Sequence, residues 1–504
     1  MAKTDRLAGI DGPVFGIALG CLLLATLPLA LAPEASGVVI DAIYRWIAHY
    51  LGATYLWAGA ATLLFSLYLA FGRYRKVVLG PPDTAPEFGR FSWFSMLFCA
   101  GIASGLLYWG VIEWAYYYAA PPHGGAIGSP GAIEWATTYG LFHWGYTAWA
   151  FYALPTVAIA HACHRRGEAS YRLSRACRSV LGRHTEGTLG KAIDVFFIVG
   201  ILGGASTSLG LSTPMIAEGA AQLFGIARSF GLDIAIILGC AVIFSISVYK
   251  GLDRGIRILS NFNFILAFIF LGFVFLAGDT AFILEASAAS LGKLFENFIA
   301  LNLWSDPTIS TSFVEEWTVF YWAWWIAYAP FVGLFVARIS RGRTLREVVL
   351  GMLLLGSAGS WLFFMVLGNY ALALQLGGTL DVVGSLETHG APATIIAVIM
   401  TLPAAGPALA AFCVVSLLYL ATTFDSAAYT IAAGASADLG PTAHPSRGHR
   451  SFWALAVAIL PIALLAVGGL RSLQTVSLVA SVPLLAVGVL LAVSLMRDLR
   501  AGSA

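Results

Sequence analysis

Apolar residues in this chain come in long unbroken runs, separated by short polar or Gly/Pro-rich stretches, and the pattern recurs from one end to the other. A run of ~20 apolar residues spans the hydrocarbon of a bilayer as a helix, and only helices or closed barrels satisfy every backbone polar group there. These runs are continuous and do not alternate, so they predict helices and not barrel strands. Crossings are expected near 13–32, 52–72, 92–119, 137–162, 189–218, 230–249, 257–278, 314–336, 347–367, 407–433, 452–469 and 475–496, twelve in all. The first lacks a clean small-residue cleavage site and is followed by further spans, so it reads as a retained helix and not a signal peptide.

Between the spans, 279–312 has the spacing of an amphipathic external helix (Leu284, Leu291, Phe295, Ile299, Leu303), and 389–402 resembles a second one, ended by Pro403 and Pro407. Two spans carry helix-breaking chemistry: the third has Gly101 to Gly105 near its middle, and the eighth has Pro330 and Gly333. Interrupted helices at corresponding positions of two halves are the mark of an inverted-repeat transporter. The expected organisation is two N-terminal helices (1–90), a first repeat (91–278), the external helix (279–313), a second repeat (314–496) and a short tail (497–504).

Composition and charge sharpen this picture. Residues are 59% hydrophobic and 11% charged, with a mean hydropathy of +0.83. That is well short of the roughly one-quarter charged share of a soluble domain. With the N-terminus inside, only Arg45, Arg228, Lys293 and Arg471 of the 28 Lys and Arg residues fall outside, which is the positive-inside asymmetry and predicts both termini in the cytoplasm of a bacterial inner-membrane protein. The Arg-rich loop 164–191 therefore reads as topology and anionic-lipid contact, and nucleic acid is not an expected partner. The six cysteines form no metal-like cluster and read as small apolar packers. No P-loop, HExxH, GxSxG or CxxC is present, so neither ATP-driven transport nor common membrane enzymology has support, and no catalytic residue is assigned.

The densest chemical signal is Trp322-Ala-Trp324-Trp325-Ile-Ala-Tyr328-Ala-Pro330. On a helix Trp324 and Tyr328 share a face, as do Trp325 and Tyr328. Trp144, Tyr152 and Tyr116 lie in neighbouring predicted spans. Aromatic faces attract quaternary ammonium through the ring quadrupole, worth about 2 kcal/mol or more when desolvated; the competing reading is an interfacial aromatic belt. A second signal is Thr422-Thr423-Phe424-Asp425-Ser426, whose hydroxyls could ligate a small hard cation or serve as ordinary interhelical glue. Asp425 and Glu113 are ionisable groups inside spans and are functional or paired by default. His143 and His161 have no carboxylate at useful spacing and read as packing residues.

The stretch EEWTVFYWAWWIAYAPFVGLFVARISRGRTLRE (Glu315 to Glu347), with GLLYWGVIEWAYYY (Gly105 to Tyr118) and FHWGYTAWAFY (Phe142 to Tyr152), resembles the betaine/choline/carnitine transporter family, and the likeness extends over about 13–496. The resemblance implies an all-α, twelve-helix membrane protein with a five-plus-five inverted-repeat core after two extra helices, assembled as a homotrimer. It implies an aromatic box of Tyr116, Trp144, Tyr152, Trp324, Trp325 and Tyr328 around an onium group, and a sodium site of Ala100, Ile102, Thr422 and Thr423. Tyr328 and Glu113 match the carnitine antiporter branch. Asn263 stands where those antiporters carry an arginine held to replace sodium, and Thr422-Thr423 match the sodium-coupled betaine carriers. The implied activity is secondary uptake of a betaine, choline or carnitine-like solute, coupled to sodium; exchange or proton symport is the alternative. No cofactor other than the coupling ion is implied.

Overall fold

The computed structural model of the chain describes residues 9–81, 83–100, 104–168, 170–249, 253–307, 311–437, 439 and 444–502, and is helical almost throughout. In chain order the main helices are α1 (Gly12–Leu31), α2 (Pro33–Phe71), α3 (Arg90–Ala100), α4 (Ser104–Ala119), α5 (Pro130–His143), α6 (Tyr146–Ala160), α7 (Thr188–Phe224) and α8 (Phe230–Tyr249). They continue with α9 (Asp253–Ala277), α10 (Thr280–Leu303), α11 (Val319–Ile339), α12 (Leu345–Leu376), α13 (Val382–Met400), α14 (Ala405–Gly434), α15 (Arg447–Val467) and α16 (Gly469–Ala501). Among the described residues nine helices are long and apolar enough to cross a membrane, or ten if the pair Phe262–Ala277 and Thr280–Leu303, bent by 108°, counts as one span.

Helix ends follow local chemistry. Asp11, Ser129, Asp279 and Ser446 each accept a hydrogen bond from a first-turn backbone N–H of α1, α5, α10 and α15, satisfying donors that a helix start leaves unpaired. Thr344 and Glu347 close a capping box at the start of α12. Large apolar side chains such as Leu24, Leu276 and Ile299 stand exposed on outer faces, as a hydrocarbon-facing surface requires.

The core lies where α6 packs along α11 and where α7 is held between α14 and α16. These contacts depend on small residues that let backbones approach, as bilayer helices must when burial of apolar surface gives no net drive. A Cβ on Gly333 of α11 would sit 3.0 Å from the Thr156 amide nitrogen on α6. At one end Arg172 bridges Asp11 (2.7 Å) and Asp194 (3.7 Å), tying the start of α1 to α7.

Several expected boundaries move. Pro330 does not interrupt α11: the helix runs through it to Ile339, so the eighth span is continuous where a break was expected. The expected span 137–162 is instead divided into α5 and α6 at Trp144-Gly145. α2 begins at Pro33 because polar residues such as Asp41 and Arg45 lower hydropathy without breaking a helix. Val382–Met400 forms one helical element, kinked at Gly390 (φ 78°), and Pro407 occupies the first turn of α14 and does not end a helix. Positions 497–501 are the last turn of α16, not a separate tail. The expected break at 101–103, with Ile102, lies outside the described residues.

Candidate functional site: an aromatic box beside a buried carboxylate

The site is built around the division of α5 from α6. Gly145 has φ −99° and ψ −148°, and its N–H turns to the Phe142 carbonyl (3.2 Å). A Cβ there would lie 2.6 Å from the Leu141 carbonyl oxygen, so glycine is what permits the chain to turn. The break frees carbonyls at the end of α5, and two indoles take them up: Trp361 Nε1 donates to Leu141 O (2.7 Å) and Trp325 Nε1 to His143 O (2.8 Å). The irregular backbone is thereby satisfied by protein, the condition for tolerating it at membrane depth.

Trp144, at this break, meets Trp325 with ring centroids 4.7 Å apart and Trp324 at 5.9 Å. Trp324 and Trp325 lie parallel at 4.9 Å, and Tyr152 on α6 is edge-on to Trp325 at 6.0 Å. Gly204 of α7 seats the other side: its carbonyl accepts from Trp324 Nε1 (3.2 Å), and a Cβ there would strike the Tyr328 ring at 2.4 Å. Gly105 of α4 lies against Trp324, where a Cβ would be 3.3 Å from the indole. Trp144, Tyr152, Trp324 and Trp325 thus form one linked group, with Tyr328 one turn along α11.

Tyr116 is placed differently. It packs on Trp317 (5.2 Å) and Trp109 (6.0 Å), and among the described residues its ring touches none of the other five. Tyr321 connects the two clusters, 6.0 Å from Trp109, 6.0 Å from Trp144 and 5.7 Å from Trp325. Trp322 faces away, packed against Phe142 and Phe151.

Glu113 is fully buried, and its carboxylate accepts three hydrogen bonds: Tyr117 Oη on Oε1 (2.7 Å), and Trp144 Nε1 (3.0 Å) and Tyr321 Oη (2.5 Å) on Oε2. Because the Tyr117 proton points to Glu113, its oxygen accepts from His143 Nδ1 (2.9 Å), and His143 Nε2 accepts from Thr318 Oγ1 (3.0 Å). His143 Nδ1 is also 3.6 Å from Glu113 Oε1. His143 is therefore not a packing residue without a carboxylate, as its sequence neighbourhood suggested. His161 likewise comes within 3.8 Å of Asp498. The Glu113 network escapes sequence reading because its partners come from three helices; only the ionisable residue inside an apolar run pointed to it. Asp425 is paired with Arg450 at 3.4 Å.

Of the cation-site candidates, Ile102 lies outside the described residues and Ala100 is the last residue of α3. Thr422 and Thr423 each donate their hydroxyl proton to the Tyr419 carbonyl (2.9 Å each), leaving both oxygens with lone pairs to offer. Asn263, on α9 packed along α14, is buried, and neither amide side-chain atom has a hydrogen-bond partner among the described residues.

Comparison with known proteins gives the family. Residues 13–504 match the family described as betaine/carnitine/choline family transporter. The chain is 35% identical over 422 residues, 84% of its length and 87% of the relative's, to the uncharacterized transporter YeaV of Escherichia coli K12. It is 31% identical over 485 residues, 96% of its length and 87% of the relative's, to a carnitine transporter of Acinetobacter baumannii. The family is one of transporters and not enzymes, and this multi-pass membrane protein is a member of the betaine/carnitine/choline transporter family.

Proposed function

We propose that the chain takes up a quaternary ammonium solute such as carnitine, betaine or choline, with sodium as the coupling ion. One observation carries the substrate class. The indole N–H groups of Trp144, Trp324 and Trp325 are all spent on protein acceptors, so the chemistry these rings can offer a ligand is their π faces. A π-lined site favours a cation that cannot donate hydrogen bonds, which describes a trimethylammonium group. The carnitine transporter of Acinetobacter baumannii supports this class without choosing a member of it.

In this reading twelve crossings form a five-plus-five inverted repeat, and the protein works as a homotrimer in a bacterial inner membrane. The box holds the onium group while the halves rock. The sodium assignment rests on the lone pairs that Thr422 and Thr423 keep and on the neutral Asn263, without a partner among the described residues, in place of a fixed cation. A hard ion of this kind takes about six oxygen ligands, the remainder being carbonyls near Ala100 and Ile102. Uptake into proteoliposomes with sodium outside, against potassium-balanced medium, tests it. Sodium should stimulate uptake, Thr422→Ala/Thr423→Ala should abolish the stimulation, and Asn263→Arg should partly restore uptake without sodium. Equal uptake in the two media would refute sodium coupling.

The hydrogen-bonded chain from Glu113 through Tyr117 and His143 to Thr318 favours a second reading, proton symport or ion-independent exchange by the same fold. There the buried carboxylate, in contact with box residue Trp144, would carry the proton.

A further inference from the structure

An apolar groove of about 320 Å³ opens on the membrane face among α2, α6, α11 and α16, lined by Ala61, Phe65, Leu154, Pro330, Leu485 and Val489 among others, with Thr62 as its one polar side chain. A second pocket of about 180 Å³ lies at the ends of three of these helices, where Arg73, His161, Arg165 and Asp498 bring polar groups in among Tyr74, Val77 and Leu499. The two are in register. The spacing is six residues from Phe65 to the end of α2 at Phe71, two residues short of Arg73, six from Pro155 to His161 just past the end of α6, and five from Val493 to Asp498 on α16. At 1.5 Å per residue each gap is ~8–9 Å. The headgroup layer on one side of a bilayer, half the difference between ~30 Å of hydrocarbon and ~40–45 Å in total, is ~5–8 Å, so each gap carries the chain from the hydrocarbon through that layer.

Charge agrees with depth. Arg73 and Arg165 are exposed and make no carboxylate pair among the described residues: the Arg73 guanidinium lies over Tyr74 (4.7 Å), and Arg165 Nη1 donates to the Val78 carbonyl (3.3 Å). The pocket's one carboxylate, Asp498, is already engaged by Arg166 (2.6 Å) and by the Ser179 hydroxyl. Arg75 and Lys76 stand exposed alongside. The polar end therefore offers unneutralised positive charge at headgroup level, directly beyond an acyl-sized groove.

We propose that this is a specific site for an anionic phospholipid, with an acyl chain in the groove and its phosphate at Arg73 and Arg165. The groove walls include Pro155 of α6 and Pro330 of α11, the two helices that carry Tyr152, Trp324, Trp325 and Tyr328. A lipid bound there contacts both expected halves of the carrier behind the box.

Native mass spectrometry of the detergent-purified full-length protein, titrated with phosphatidylglycerol and phosphatidylcholine, tests the site without reference to transport. The wild type should retain phosphatidylglycerol in preference to phosphatidylcholine. Arg73→Gln/Arg165→Gln should lose at least ~10-fold of that preference, and Ala61→Trp, which fills the groove, should lose the bound lipid. Ile299→Trp, on an exposed face of α10, should retain it, and size-exclusion profiles and melting curves identify any variant that has misfolded. Equal retention of the two lipids by wild type and by the double glutamine variant would overturn the proposal. So would Ala61→Trp that keeps its lipid but changes oligomeric mass, since the groove would then hold a second copy of the chain.

Discussion

At the scale of single residues, Glu113 shows how a membrane interior holds a carboxyl group with its oxygens satisfied. Three donors converge on one carboxylate with no exposure to solvent, so its lone pairs are satisfied although no Lys or Arg approaches it among the described residues. Glu113→Gln presents an NH₂ group to at least one of those donors, leaving buried donors without acceptors at a cost of about 1–3 kcal/mol. The expected outcome is a lower melting temperature in detergent and weaker substrate binding, because Trp144 loses its anchor. Under sodium coupling the residual uptake keeps the wild-type pH profile; under the proton reading Glu113→Gln flattens it. Glu113 was visible in the sequence as an ionisable residue in an apolar run, whereas Tyr117, His143 and Tyr321 were not. Aromatic and histidine side chains in a span look alike on paper until the fold brings them to one carboxylate.

At the scale of elements, apolar runs report where helices lie but not where they break. Pro330 suggested an interruption in α11, yet the helix passes through it, because a proline is tolerated in a membrane helix where its surroundings satisfy the backbone group it frees. Gly145, one glycine among many, marks the break that matters, since its neighbour Leu141 leaves no room for a Cβ and two indoles wait to take the freed carbonyls. Gly145→Ala should therefore shift Trp144 and Trp325 together, costing about 1–3 kcal/mol of stability as an overpacking change and most of the uptake. The check is uptake and thermal stability measured on the same preparation; wild-type values for both would show that the turn tolerates a side chain. The box itself was legible as a sequence cluster because four of its six members sit within α6 and α11 at helical spacing. Tyr116, named with the box residues from the sequence, packs its ring at a tilt against Trp109 and Trp317, a group that Tyr321 links to the rest of the box.

At the scale of the whole molecule, hydropathy and family likeness agree on a multi-pass transporter, and the placement of Lys and Arg predicts which side faces the cytoplasm. A reporter fused after Arg183 should read cytoplasmic and one fused at Gly128 periplasmic; the reverse pattern would invert the orientation and move the Arg73–Arg165 pocket to the outer leaflet. The proposed function requires that the π faces of the box, more than its outline, select the solute, and one measurement separates the two. Labelled carnitine uptake in proteoliposomes is competed with a trimethylammonium compound and with its neutral tert-butyl isostere, which has the same shape without the charge. Recognition by π faces predicts that the cationic competitor inhibits at least ~10-fold more strongly, the worth of about 2 kcal/mol of desolvated cation–π attraction, and that Trp325→Phe narrows this gap while Trp325→Leu abolishes uptake. Equal inhibition by the charged and neutral compounds would contradict the account, since the aromatic cluster would then be reading shape alone.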